Sequence, residues 1–490
     1  WSYDLLSDVD KRVLCRLSVL AGPLSLAGAL VVAADGDEIA DADDAPVADA
    51  AVGMAAATAT NRVGGDGEAV PLDKMAAMDA LDSLVEKSLL VAQPREDGTW
   101  FRLLDTIRVY AAEQLAAADG DGARVRLLNW LLDISRDYTD VRAGADMDGW
   151  SVKVAPLVPN IRDSVLRASR GGLPAAKAAA VAMRYWWIWA SPAWRSESRQ
   201  ALARLRDQYV DDISAIDLAW LYYMEGDLCS IDEPTDGVAG YQEAARRFAS
   251  LEDWVHISWA VQNEGNCYFN MGILEDAERC YRKALSMRRD YGVARPIEFA
   301  IALYNLAEVE RARGNWAEAY DLIVEALDLL DERERASSAA IWPLHNLGQV
   351  LARQDRAKEA AVLLGRSLSL ATVLGAPDAA ASCLYGLGGL AAGRGDAPAA
   401  AGFMGAAATI LNTEHLVLNL ADGADRDWNL TRARAFLDEA SWQAAWAKGQ
   451  ALTLGQAAAE GLALAETIAA QPEGGDLLAD IRRLVDQTHD

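Results

Sequence analysis

Asn263, Asn305 and Asn346 recur at steps of 42 and 41 residues. One helical turn further along stand Asn266, Glu308 and Gln349, and Tyr304 and His345 fall on the same face. A side-chain amide carries both a donor and an acceptor, so a row of them suits an extended peptide backbone or a sugar-like ligand. The same row can instead satisfy neighbouring groups inside a scaffold. If the amides face solvent, replacing two by Ala weakens binding and barely changes stability. If they are buried and bonded within the chain, the double replacement costs roughly 2 kcal/mol or more.

Other chemistry is thinly represented. A phosphate-cradling loop needs glycines followed by Lys and Ser or Thr. "NRVGGDGEAV" (61–70) has the glycines without the Lys, and the glycines of "GLGGLAAGRGD" (386–396) belong to a helical pattern. There is no G-x-S-x-G, no H-E-x-x-H and no nucleophile–base pair, so neither catalytic residues nor a cofactor are expected in this chain. The four histidines are isolated, and Cys15, Cys229, Cys267, Cys280 and Cys383 form no C-x-x-C pair, so no metal site is expected. An odd set of dispersed thiols suits a reducing cytoplasm.

The elements that must position the row are legible from its surroundings. "GNCYFNMGILEDAERCYRKAL" from Gly265 repeats its order of small and large residues three more times, with Gly265, Ala307, Gly348 and Gly388 in register at steps of 42, 41 and 40 residues. Gly272, Gly314 and Gly395 fall where a first helix should stop, as left-handed caps. Ala277, Ala319, Ala360 and Ala400 supply a small facing residue on a second helix, and Tyr281, Ile323, Leu364 and Met404 are expected to plug into the next unit. This pattern resembles the tetratricopeptide (TPR) repeat, whose period is about 34 residues. The resemblance implies a helical solenoid with the first helix of each unit on the concave face, and hence the asparagine row in a groove. Trp220, Trp259 and Trp342 share another repeat position and are expected to pack between units.

At 490 residues the chain has room for two or three domains, with 52% apolar residues to fill their cores. Its net charge of −27 repels polyanions, which disfavours nucleic acid and anionic membrane as partners. Leu17 to Ala34 carries no charge over 18 residues. Gly22-Pro23 interrupts it, so two buried helices meeting at a turn are expected rather than a membrane span. Residues 35–73 are rich in Asp, Ala and Gly and read as an acidic exposed loop.

Over residues 1–118 an apolar stripe (Leu5, Leu6, Val13, Leu14, Leu17, Leu20) precedes a helix with Leu81, Leu84, Val85 and Leu89 on one face. A hairpin follows, "LLVAQ" to "TWFRLL", and then a helix "TIRVYAAEQL" with Asp105 expected as its cap. Helices followed by a two-stranded wing make a winged-helix domain. "WSYDLLS", "RLSVLAG", "LVEKSLLV" and "FRLLDTIRVYAAEQL" resemble the winged helix of signal-transduction ATPases with numerous domains, the STAND class. "LVPNIRDSVLRAS", "RYWWIWA" and "AAWAKGQALTLGQAAAEGLALAE" extend the resemblance to bacterial transcriptional regulators of that class, over nearly all of the chain except 35–73. It implies an upstream nucleotide-binding domain, with this chain as the C-terminal part of a longer protein, and an intramolecular role for the winged helix.

Direct DNA binding is disfavoured. The presumptive recognition helix offers Asp79, Asp82 and Glu86 against Lys87, and residues 1–118 hold 9 Lys plus Arg against 20 Asp plus Glu. The expected organisation is a winged helix at 1–118, a helical linker with the first solenoid helices at 119–210, TPR-like repeats forming a right-handed superhelix at 211–466, and a tail at 467–490. The fold class is mainly α, with the hairpin as the one sheet. Trp186, Trp187, Trp189 and Trp194 are expected to join winged helix to solenoid. The expected function is a cytoplasmic, non-catalytic sensor arm that binds a protein, peptide or small-molecule signal in the groove formed by Asn263, Asn266, Tyr304, Asn305, Glu308, His345, Asn346 and Gln349. A constitutive interaction scaffold is the alternative.

Overall fold

The computed structural model describes residues 3–35, 71–95, 97–115, 117–135, 147–189, 191, 194–230, 232–292 and 295–470. The acidic segment 36–70, the glycines at 64–67 and the tail beyond 470 lie outside them. The chain divides into two compact units, residues 1–140 with 153–184, and residues 141–152 with 185–490.

The first unit is built on a winged helix. Ser7 caps α1 (Asp8–Leu17) by accepting from the Asp10 amide at 3.0 Å. The apolar stretch breaks where the sequence expects: α1 stops at Leu17 and α2 runs Leu26–Ala33. Between them the Gly22-Pro23 corner is tied by Asn160, which accepts from the Ala21 and Gly22 amides and donates to the Pro23 carbonyl, each at 2.9 Å. Asp73 caps α3 (Lys74–Glu86), which buries Ala77, Ala80, Leu81 and Leu84. The hairpin is β2 (Leu90–Arg95) and β3 (Gly98–Leu103), in register Leu90↔Leu103 to Arg95↔Gly98. A third strand adds to the expected sheet: β1 (Leu24–Ser25), between α1 and α2, pairs with Phe101 and Trp100, giving the order β1-β3-β2.

Asp105 is not the cap of the following helix. In α4 (Asp105–Gln114) Leu104 holds the cap position without a side-chain bond, and Asp105, inside the first turn, lies 3.7 Å from Arg108. The carboxylate there still favours the positive end of the helix dipole. The helices α5 (Ala117–Ile134), α6 (Val158–Ala168) and α7 (Ala175–Arg184) also belong to this unit. Residues 119–135 and 153–184 thus pack within the first unit, whereas 147–152 group with the second. Among the described residues no helix is long and apolar enough to cross a membrane.

The second unit is helical throughout its described residues. After α8 (Arg195–Gln208) come five antiparallel hairpins: α9 (Ala215–Cys229) with α10 (Pro234–Ser250), α11 (Trp254–Asn270) with α12 (Leu274–Tyr291), α13 (Pro296–Arg313) with α14 (Trp316–Leu329), α15 (Ile341–Arg353) with α16 (Ala357–Leu374), and α17 (Pro377–Gly393) with α18 (Ala397–Thr413). Each hairpin packs on the next, the TPR-like solenoid arrangement. The mid-helix glycines are required: Gly388 faces the expected Ala400, whose carbonyl would lie 3.2 Å from an added Cβ, while Gly265 and Gly348 meet residues further along the second helix. A Cβ on Gly265 would lie 2.7 Å from the Tyr281 ring, and one on Gly348 2.7 Å from Leu364 Cγ. Tyr281 and Leu364 thus cover the glycine of their own hairpin, and Leu364 also reaches into the next unit, where its Cδ1 would lie 3.0 Å from a Cβ on Gly386. They sit four residues beyond Ala277 and Ala360, one turn along the same helical face. The first hairpin repeats this contact with Gly226 and Tyr241.

The first helices end in left-handed residues, Gly272 (φ 74°), Gly314 (φ 80°) and Gly395 (φ 83°). The third repeat has Asp355 at that position and at the same angle, φ 58°. An L side chain is strained there, whereas Gly adopts it freely. Asp355→Gly should therefore raise stability by about 0.5–1 kcal/mol in urea unfolding, and the same change at half-buried Asp378, at the start of α17, should lower it or leave it unchanged.

Beyond the hairpins the chain folds back. α19 (Leu420–Arg434) lies across the first helices α13, α15 and α17. α20 (Glu439–Gln450) and α21 (Leu454–Ala469) return onto α18 and α16. Thr453 opens α21 with the expected capping box, accepting from the Gln456 amide while the Gln456 side chain accepts from the Thr453 amide.

Candidate functional site

The row comes together on consecutive first helices. Asn263 donates to the Tyr223 hydroxyl at 2.6 Å and accepts from Asn266 at 3.1 Å; the Asn266 oxygen in turn accepts from Tyr281 at 2.9 Å and from Asn305 at 3.3 Å. Asn263, Asn266 and Tyr304 are half-buried. Asn305, Glu308, His345, Asn346 and Gln349 are buried, His345 and Asn346 completely. Of the two geometries open at the sequence level, these buried residues take the second. Their side chains do not point into solvent: Glu308 and His345 meet Asn419 and Asp422, Asn346 bonds Glu308, and Gln349 lies against Gly386 of α17.

α19 brings its own polar stripe. Asp422, Asp425 and Asn429, spaced i, i+3 and i+7, are 3%, 3% and 1% exposed. The centre is Arg311, which donates to Asp422 at 3.0 Å, to Asp425 at 2.7 Å and to Glu308. Glu308 also accepts from Asn346 and, at 3.3 Å, from Asn419. Arg353 grips Asp425 at 2.6 Å and stacks 4.0 Å from the Trp428 ring. His345 places Nε2 3.4 Å from Asp422, while its Nδ1 lies 3.6 Å from the Cys383 sulfur.

Enclosure sets the electrostatics. Burial raises the Glu308 carboxyl to about 7 although Arg311 opposes the shift. For His345 burial works against the charged ring, but the Asp422 carboxylate outweighs it and the imidazole is held at about 10. Asp422 is depressed: burial alone would raise it, and His345 with Arg311 overcomes that. Glu308, Asp422 and Asp425 thus face Arg311, Arg353 and His345, a nearly balanced cluster.

The fourth repeat shows why α19 fits. The amide positions Asn305/Asn346 and Glu308/Gln349 become Gly386 and Gly389 in α17. A Cβ on Gly389 would lie 1.9 Å from the Asn429 oxygen, and one on Gly386 2.7 Å from the Gln349 nitrogen. Asn429 occupies the space that a fourth row residue would fill.

Sequence reasoning missed Arg311, Arg353, Asp422, Asp425 and Asn429. Arg311 had a signal, standing where neighbouring repeats carry Phe269, Ala352 and Ala392. The tryptophans behave as packing residues: Trp220 is buried edge-on against Tyr223, Phe248, His256 and Trp259, and Trp342 is edge-on to His345. A separate cavity of about 530 Å³ is lined by Arg195, Arg199, Cys229, Asp232, Glu233, Asp378 and residues 415–417. Its arginines are already paired, Arg195 with Asp232 at 2.6 Å and Arg199 with Asp236 at 3.0 Å.

In the winged helix, α3 exposes Lys74, Met75, Met78, Asp79, Asp82 and Glu86, and Lys87 is drawn 2.8 Å from Asp10. On that face the exposed Asp79, Asp82 and Glu86 outnumber Lys74 and Lys87.

Residues 67–116 match the family model of a winged helix-turn-helix domain, and residues 298–372 match that of the tetratricopeptide repeat. None of the curated proteins matches the sequence. Among solved structures, a STAND protein with a tetratricopeptide repeat sensor from Pyrococcus horikoshii aligns with a TM-score of 0.35 at 12% identity, over 88% of this chain and 63% of that one. This chain therefore spans less than two thirds of that protein's length. The Rap conjugation gene regulator of the plasmid pLS20, solved with the Phr* peptide, gives 0.40 at 14% identity over 63% of this chain and 96% of that one. A Rap protein complexed with competence and sporulation factor gives 0.39 at 14%, over 64% and 100%.

Proposed function

We propose that this chain is the non-catalytic sensor arm of a STAND-type transcriptional regulator, in which the solenoid receives a signal and the winged helix passes it to a nucleotide-binding domain. The observation that carries the reading is the polar, charge-bearing face on the first helices of a TPR solenoid whose chain also contains a winged helix. Ordinary repeat packing is apolar, so a solenoid needs no such face for its own core. Donors and acceptors of the kind that suit an extended ligand lie along it, half-exposed at Asn263, Asn266 and Tyr304 and covered from Asn305 to Gln349.

The test combines a thermal-shift screen of metabolites and peptides with a pull-down and an ATPase assay on the same chain. A specific ligand or peptide shift supports the sensor. A stable protein partner in every condition with no such shift makes the chain a constitutive scaffold. Specific ATP turnover would overturn the non-catalytic reading.

A further inference from the structure

We propose that α19 is an exchangeable occupant of its site, and that the face it covers takes an acidic helix from a partner protein, with carboxylates at i and i+3 and an amide at i+7. This deepens the sensor reading and rests on it.

The first observation is charge. Without α19, the face formed by α13 and α15 presents Arg311, Arg353 and His345 against Glu308 alone. A chain of net charge −27 would then carry a cationic site, which only an anionic segment complements. Asp422 and Asp425 show the spacing that fits, and the Trp428 ring over Arg353 adds an aromatic cover.

The second observation is how α19 is held. Of its five buried positions three are polar, Asp422, Asp425 and Asn429, beside Ala421, Ala433 and the half-buried Leu430, so charge and hydrogen bonding make up much of its contact. That contact is also incomplete. Asp422 Oδ2, Asn429 Nδ2, Asn346 Oδ1 and Arg311 Nε are buried without a hydrogen-bond partner among the described residues. Buried polar networks hold firmly when every member is satisfied, and this one is not. Gly423, in the first turn of α19 with open space around it, weakens the helix further.

The third observation is the tethers. Residues 414–419 and 435–438 join α19 to its flanking helices; Val417, 81% exposed, and Phe436, 61% exposed, face solvent, while Leu416, Leu418 and Leu437 rest half-buried on the core. Beyond them α18 and α20 cross so closely that a Cβ on Gly449 would lie 1.8 Å from the Gly402 carbonyl oxygen. α19 can therefore swing out between two anchored ends while the solenoid stays intact.

Hydrogen exchange on the unaltered chain is the first test. Amides of α19 should exchange at least about tenfold faster than those of α17, and equal protection would overturn the proposal. The second test uses a labelled synthetic peptide of residues 419–434. It should bind the Asp422→Asn/Asp425→Asn chain at least about tenfold more tightly than the unaltered chain, whose tethered copy competes. A peptide carrying the same two substitutions should not bind, and high salt should weaken the native one. A Gly389→Cys/Asn429→Cys chain should lose peptide binding when oxidised and regain it on reduction. Exchange of α19 between two copies, seen as a dimer, would replace the partner by a second copy and sink the proposal. Slow exchange with no peptide binding would end it too, while a ligand shift in the thermal screen would still support the sensor role.

Discussion

Arg311→Met should destabilise the second unit by about 3–5 kcal/mol in urea denaturation followed by circular dichroism, the usual cost of removing one partner from a buried ion cluster. The guanidinium is 3% exposed and bonds Glu308, Asp422 and Asp425 together. Its loss leaves three enclosed carboxylates facing Arg353 and His345. Arg311→Lys should recover little, because a single ammonium cannot reach acceptors on α13 and α19 in the same fork geometry. Adding Asp422→Asn and Asp425→Asn to Arg311→Met should restore part of the loss, since the deficit is unpaired charge rather than lost volume. A loss below about 1 kcal/mol would show that the unpaired carboxylates are relieved, by water entry or by release of α19.

The second large effect depends on pH. The folded chain holds the His345 proton to about pH 10, whereas an unfolded chain releases it near the ordinary 6.5. Its stabilising contribution is therefore full below pH 6.5 and drains away as pH rises towards 10, by at most about 1.4 kcal/mol per pH unit. Glu308 acts in the same direction at lower pH. Its folded value near 7 exceeds the ordinary 4.5, so its contribution is present below 4.5 and lost by about pH 7. Asp422, depressed, stabilises above the ordinary 3.8 and loses that effect only in stronger acid. The melting temperature should fall steadily from pH 7 to 10, and His345→Gln should flatten that slope whatever it does to absolute stability. An unchanged slope would place the titration elsewhere.

The helical hairpins were legible because their signals are local. Gly272, Gly314 and Gly395 end helices where left-handed caps were expected, and Thr453 caps α21 as its sequence suggests. The winged-helix elements were legible for the same reason, apart from β1, whose two residues pair with a strand far along the chain. The row stands on consecutive first helices, yet its burial was not foreseeable from the repeats. Much of that burial comes from α19, more than a hundred residues beyond Glu308, and no periodicity links Asp422 to Arg311. The same holds for the Gly265–Tyr281 contact: the residue types were right, but whether Tyr281 turns to its own hairpin or the next is decided by three-dimensional packing. Similarly, nothing local in 158–168 announces that Asn160 will clasp the turn at Gly22.

The cysteines lend the solenoid a built-in ruler. Cys229 lies in the first hairpin, Cys267 and Cys280 in the second and Cys383 in the fifth, all free and buried, and burial lifts Cys229 to about 11 and both Cys267 and Cys280 to about 12. A protonated, enclosed thiol is inert to alkylating reagents until its hairpin opens. Because each repeat leans mainly on its neighbours, the hairpins can come apart one after another. The order in which mass spectrometry finds these native thiols labelled, with and without a bound signal, would therefore record which end of the array loosens first, without introducing a single probe.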